Sequence, residues 1–234
     1  RGPEGVRMRI DMWMDTACPW CYLGLRHLRA ALSAFPDGDQ VEVVLRAHVL
    51  EPDLEGPVDT PRAAHLARTT GMEPEAVAEE DERLRALGRA EGVVFDFESL
   101  VVAPTSRAHR VIAAAGEADI DAGATTGPDT AHLKAAEAIM RAHFEMGLDV
   151  SDPDVLIGCA QDIGLGAAVA AGALADGRWA SQVYSDHQMG VGMGVNALPT
   201  YILDSRFVVQ DRLSATAMAN VLTTAWAHSR KDGQ

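Results

Sequence analysis

The stretch Asp15-Thr16-Ala17-Cys18-Pro19-Trp20-Cys21-Tyr22-Leu23-Gly24 decides how this 234-residue chain is read. Before it, residues 6–14 (Val-Arg-Met-Arg-Ile-Asp-Met-Trp-Met) alternate in character and read as a strand. After it, Leu23, Leu25, Leu28 and Leu32 recur at near-helical spacing, so a helix from about Pro19 to Phe35 is expected, ended by Pro36-Asp37-Gly38-Asp39. Residues 41–47, Val-Glu-Val-Val-Leu-Arg-Ala, read as a second strand. Strand, helix and strand in this order form a βαβ unit with a parallel pair.

Two cysteines three apart on the first turn of a helix share one face, at a separation a disulfide tolerates. The helix N-terminus offers unpaired N–H groups and a partial positive charge, and both favour a thiolate at Cys18. Pro19 suits the first helical position, where its missing N–H costs nothing. Cys21, one turn in, is expected to be more buried and less ionised. Cys18 is therefore the expected attacking thiol and Cys21 the resolving thiol. Trp20, between them, is expected to pack and to touch substrate. Asp15, in the loop feeding the helix, is a supporting candidate: a capping or loop residue, or a group that tunes Cys18.

Outward from this motif the chain changes period. Residues from about 62 to 191 are Ala-rich and helical, broken at 71–74, 101–104 and 149–153, with a flexible Ala/Gly/Thr loop at 121–127. Glu79-Glu80-Asp81-Glu82 reads as a solvated helix face. After Asn196 the β pattern returns. Leu198-Pro199-Thr200-Tyr201-Ile202-Leu203 is a strand candidate, Asp204-Ser205 a turn, and Arg206-Phe207-Val208-Val209 the partner strand. Ser214 then caps a last helix to about His228. The expected architecture is α/β, with a split domain (residues 6–60 and 191–230) interrupted by a helical insertion (61–190). No internal repeat is visible. Gly190-Val191-Gly192-Met193-Gly194 has the wrong spacing for a dinucleotide fingerprint and reads as a helix end and turn.

Bulk composition bounds the function. The chain is 47% apolar, enough for a sizeable core, and no apolar run reaches the ~18 residues of a transmembrane helix. The net charge of −14 disfavours nucleic acid and anionic membrane surfaces as partners. Lys134 and Lys231 are the only lysines, which together with the Ala content points to a high-GC bacterial genome. Three cysteines are too few for a disulfide-stapled secreted domain, and no second pair completes a zinc site. No metal or organic cofactor is expected. Arg1-Gly2-Pro3-Glu4-Gly5 lacks the apolar stretch of a signal peptide, and a cytoplasmic location is the expectation. Cys159, in an apolar helical run, reads as a buried structural thiol, and His27, His48 and His109 as packed or surface histidines.

The motif resembles the opening of the DsbA family of thioredoxin-fold oxidoreductases, in particular its FrnE-like branch. Ser106-Arg107-Ala108-His109-Arg110, His143-Phe144-Glu145-Met146-Gly147 and Leu198-Pro199-Thr200-Tyr201 extend the resemblance over nearly the whole chain. It implies a thioredoxin fold interrupted by a helical domain. It also implies a cis peptide bond at Leu198-Pro199 facing the Cys pair, with the backbone beside the proline accepting an extended substrate. On the residues alone, a trans proline opening an edge strand is the alternative. The chain departs from the family at Val209-Gln210-Asp211-Arg212-Leu213, where a small Gly-containing segment is usual, and at His48, where Phe is usual.

The function implied is thiol–disulfide exchange on a disulfide-containing protein or small molecule. Two other readings stand beside it. One is a small-thiol-dependent isomerase or transferase like the kappa-class glutathione transferases, which carry Ser or a single nucleophile at the Cys18 position. The other is a non-catalytic binding partner or chaperone.

Overall fold

The computed structural model describes residues 8–210 and 212–229. Strand β1 spans Met8–Met14, and Val6 and Arg7 of the expected strand lie outside the described residues. Helix α1 (Pro19–Ala34) and strand β2 (Val41–Ala47) complete the βαβ unit, with β1 and β2 parallel from Met8↔Val41 to Met14↔Ala47. Seven helices follow before the sheet resumes: α2 (Arg62–Thr70), α3 (Pro74–Ala90), α4 (Ser106–Ala122), α5 (Ala131–Phe144), α6 (Pro153–Asp162), α7 (Ala167–Ala175) and α8 (Gly177–Gly192). Strands β3 (Thr200–Leu203) and β4 (Phe207–Gln210) then form a hairpin, and α9 (Ala215–Ser229) closes the described chain. The sheet order is β2-β1-β3-β4, with β3 antiparallel to β1. This is a thioredoxin-type α/β fold with a run of helices inserted between β2 and β3.

The alternation read along β1 has two buried sides. Met8, Ile10, Met12 and Met14 join Leu25, Leu28 and Leu32 of α1 in the main core. Trp13, on the opposite face, packs with Val195 and Ile202, and its indole N–H donates to the Asp186 carbonyl of α8 at 3.1 Å. Beside it, Arg46 donates to Asp11 at 2.9 Å and to Asp186 at 3.0 Å, so the charges on that face of the sheet are paired where α8 covers it. A central strand covered on both faces needs this.

Strand β2 has an open edge, which the helical segment covers. The Leu45 N–H donates to Nε2 of His132 at 2.8 Å, and Gly127 N–H donates to the Val41 carbonyl at 2.9 Å. Since His132 Nε2 accepts, its Nδ1 carries the proton and donates to the Ile112 carbonyl at 2.8 Å. The ring must stay neutral, and burial holds its pKa below the ordinary value.

The β3–β4 connection is the three residues 204–206 between the paired Leu203 and Phe207, and Asp204 and Ser205 take positive φ angles of 48° and 56° to close the turn. Asp204 Oδ1 also accepts the Arg9 N–H at 2.8 Å, which locks the hairpin to β1. Ser214 caps α9 as expected, accepting the Ala217 N–H at 3.2 Å. Helix α4 runs to Ala122 and stops at Gly123 (φ 64°), so the expected loop from 121 begins slightly later. Asp211, in the segment that departs from the family, lies outside the described residues, as does the expected domain end at 230.

The acidic stretch on α3 is a correction. Glu79 and Glu82 are exposed, but Asp81 is 7% exposed and accepts from Arg62 at 2.5 Å, and Glu80 is half-buried. A neighbouring element carrying arginines pulls part of that face inward, which charge pattern along one helix cannot show.

Candidate active site

Cys18 is the residue preceding α1, with extended backbone (φ −95°, ψ 111°), and Pro19 opens the helix. The N–H groups of Cys21 and Tyr22 both donate to the Cys18 carbonyl, at 3.0 and 3.2 Å, and Cys18 N–H donates to the Asp15 carbonyl at 3.1 Å. The Cys18 sulfur makes no capping hydrogen bond to the helix. Cys18 is 7% exposed and Cys21 0%. The expected order of accessibility is present, although Cys18 is far less open than a helix-terminal thiol was expected to be. Burial pushes the Cys21 thiol well up, and its hydrogen bond with Cys18 pushes it further.

The Leu198–Pro199 bond is cis, and Pro199 is buried against α1. Gly24 makes that approach possible: a Cβ there would lie 3.0 Å from Pro199 Cγ and 2.4 Å from the Tyr201 hydroxyl. Helix α1 thus meets the β3 entry one turn beyond Cys21. A groove of about 730 Å³ runs beside this contact, lined by Trp20, Gly24, His27, Arg83, Pro199 and Arg212 among others. Leu198 does not line it, and its side chain packs both on Trp13, Val195 and Ile202 and against the main core.

Trp20 is held from two sides. Its indole N–H donates to Glu80 Oε1 of α3 at 2.9 Å, and the same oxygen accepts from Arg212 Nη1 at 2.9 Å. The Arg212 guanidinium lies 4.0 Å from the ring centroid, and that of Arg83 lies 5.4 Å away. Both cations face the ring at cation–π distance.

Asp15 is 1% exposed, more deeply buried than a loop cap needs to be. Its Oδ2 accepts the Leu50 N–H at 2.7 Å, and Oδ1 lies 3.1 Å from Nε2 of His109 in α4. Burial pushes the Asp15 carboxyl up, but the hydrogen bond and charge of His109 and the Leu50 N–H outweigh it and hold it below the usual range. Asp15 also lines a second cavity of about 570 Å³ with Ala17, Leu50, Arg62, His65 and His143. Burial pushes His143 down to about 4. Further along α1, the Tyr22 hydroxyl donates to Glu145 at 2.6 Å.

The structure brings Cys18, Pro19, Trp20, Cys21 and Pro199 to one end of α1, with Asp15 beneath. The partners His109, Glu80, Arg83 and Arg212 were not anticipated. His109 sits 94 positions from Asp15, and Glu80 60 positions from Trp20, so no local pattern links them. Cys159 lies away in α6, where burial pushes its thiol up to about 11.

The family model of the DSBA-like thioredoxin domain matches residues 9–221. The chain belongs to that family. A probable DsbA oxidoreductase, SCO1869 from Streptomyces coelicolor, is similar at TM-score 0.79 and 29% identity, over 94% of this chain and 90% of that one. The cytosolic disulfide reductase DsbM from Pseudomonas aeruginosa is similar at TM-score 0.64 and 19% identity, over 92% of this chain and 97% of that one. A 2-hydroxychromene-2-carboxylate isomerase is similar at TM-score 0.62 and 11% identity, over 97% of this chain and 99% of that one. The last two likenesses carry the fold alone. No curated protein matches the chain. This DSBA-like protein is a disulfide oxidoreductase. Its Cys18 and Cys21 both stand as free thiols.

Proposed function

We propose that this DSBA-like enzyme exchanges disulfides through Cys18 and Cys21. In one direction a reduced Cys18 attacks a substrate disulfide, a mixed disulfide forms at Cys18, and Cys21 resolves it. In the other a substrate thiolate attacks the Cys18–Cys21 disulfide. The observation that carries this reading is the gradient along one helical turn. Cys18 precedes the helix and keeps 7% of its surface exposed, while Cys21 is sealed inside with a thiol pushed well up.

The groove beside Trp20 and Pro199 is the proposed substrate path, with backbone at Leu198 and Pro199 pairing an extended peptide or the peptide-like part of a small disulfide. Pro19 sets the helix start and Asp15 anchors the loop that presents Cys18. No metal or organic cofactor enters the scheme. Residues 6–60 and 191–230 form the redox unit in this reading. The insertion, 61–190, supplies Arg83 to the groove wall, Glu80 to the Trp20 indole and His109 to Asp15. We place the enzyme in the FrnE-like branch on its motif, and in the cytoplasm. One of the similar structures is a cytosolic disulfide reductase, and a reducing compartment favours reduction or isomerisation.

Insulin reduction tests this. Wild type should accelerate precipitation of the reduced chains, and Cys18→Ser should not. Equal activity in the two would overturn the assignment.

A further inference from the structure

Tyr201 stands two residues after Pro199 in β3, paired with Met12 of β1, and is 1% exposed. Its hydroxyl is buried and has no hydrogen-bond partner among the described residues. Such a group costs stability, and phenylalanine would fill the same space without that cost. A stranded hydroxyl in a native core calls for an explanation.

Its position supplies one. The oxygen is pressed into α1 at Gly24, where a Cβ would lie 2.4 Å from it. Gly24 follows Cys21 by three residues and shares its helix face. Burial, then the charges of Cys21 and Cys18, push the phenol's ionisation well up, so the hydroxyl keeps its proton and has it to donate. In the reduced protein the Cys21 thiol is engaged with Cys18, and the Tyr201 hydroxyl makes no hydrogen bond to either sulfur.

We propose that Tyr201 is a further catalytic residue, donating a hydrogen bond to the Cys21 sulfur as it leaves the Cys18–Cys21 disulfide. This rests on the reading of Cys18 and Cys21 as the redox pair. A substrate thiolate attacks Cys18 Sγ and forms the new S–S bond. The Cys18–Cys21 bond breaks, and its electron pair departs with Cys21 as a thiolate. One negative charge enters and one remains, and the phenol retains its proton throughout. The new thiolate is buried, which disfavours it most; the Asp15 backbone favours it through a hydrogen bond and the Asp15 carboxylate opposes it. A second donor, the Tyr201 O–H of β3, adds to the favourable side, and a better-stabilised leaving thiolate leaves faster.

The test compares oxidised wild type and Tyr201→Phe under excess dithiothreitol. The variant should be reduced about tenfold more slowly, the scale of a hydrogen bond to a charged group. In a Cys18→Ala, Cys159→Ala background, the thiolate absorbance of Cys21 at 240 nm should titrate about one pH unit higher when Tyr201 is Phe. Equal rates overturn the proposal. So does a slower rate with an unmoved titration, which loosened packing alone would produce. If oxidised wild type forms no Cys18–Cys21 disulfide to reduce, the redox reading itself falls; a reducible wild type matched by the variant removes only Tyr201.

Discussion

Gly24→Ala measures how closely α1 is held against the strand that carries Pro199. In the middle of a helix, alanine should stabilise by about 1 kcal/mol relative to glycine. Here its Cβ would sit 2.4 Å from Tyr201 Oη, 3.0 Å from Pro199 Cγ and 3.7 Å from Tyr201 Cζ. The first contact is about 1 Å too close, and Tyr201 is 1% exposed, so the ring has nowhere to swing. Overpacking costs about 1–3 kcal/mol, and a contact this close belongs in the upper half of that range, about 2–3 kcal/mol, which leaves a net loss of roughly 1–2 kcal/mol after the helix gain. Tyr201→Phe alone removes a buried hydroxyl that has no partner among the described residues and should stabilise by about 1 kcal/mol. In the double variant only the Pro199 contact remains tight, so Gly24→Ala should become close to neutral. Urea unfolding of the four proteins gives the coupling directly, expected to be at least about 1 kcal/mol. Additive effects, within about 0.5 kcal/mol, would refute the close approach and with it the place of Tyr201 beside the Cys pair.

Further outcomes follow from other parts of the site. Cys159→Ala should leave insulin reduction within about twofold, since this thiol is buried in α6 away from the motif; near-complete loss in a folded variant would show that it takes part. His143 sits at about 4 against an ordinary 6.5, so the folded protein binds fewer protons than the unfolded chain between those values. Its contribution is full above pH 6.5 and lost as pH falls toward 4, roughly 3 kcal/mol in all. His132 acts in the same direction. Urea unfolding at pH 7 and 4.5 should show a smaller loss in His143→Gln than in wild type, and parallel losses would argue against a neutral buried ring. Glu80→Leu removes the acceptor of the Trp20 indole and the charge facing Arg212, and should destabilise by about 1 kcal/mol. The same cost in a Trp20→Phe background would show that Glu80 does not act on Trp20.

The opening βαβ unit was legible because its signals are local: period-2 alternation, a proline at the first helical position, leucines at helical spacing. β2 was read to its exact ends, and the terminal hairpin to within two residues, by the same means. What could not be read is pairwise and distant. Asp15 read as a loop or tuning residue because nothing nearby announces His109, which the insertion delivers from α4. Glu80 and Asp81 read as solvated because their partners, Arg212, Trp20 and Arg62, lie on other elements. Gly24 did carry a signal. A glycine inside an amphipathic helix marks a close approach, though not of what. Tyr201 looked like any aromatic in a strand, and only its stranded hydroxyl sets it apart.

The most direct test of the account is a trapping experiment. Cys21→Ser protein, reduced and mixed with a disulfide substrate, should accumulate a mixed disulfide that cannot resolve, and peptide mass mapping should place the new bond on Cys18. A bond mapped to Cys159, or no covalent complex from a folded protein, would contradict the central claim.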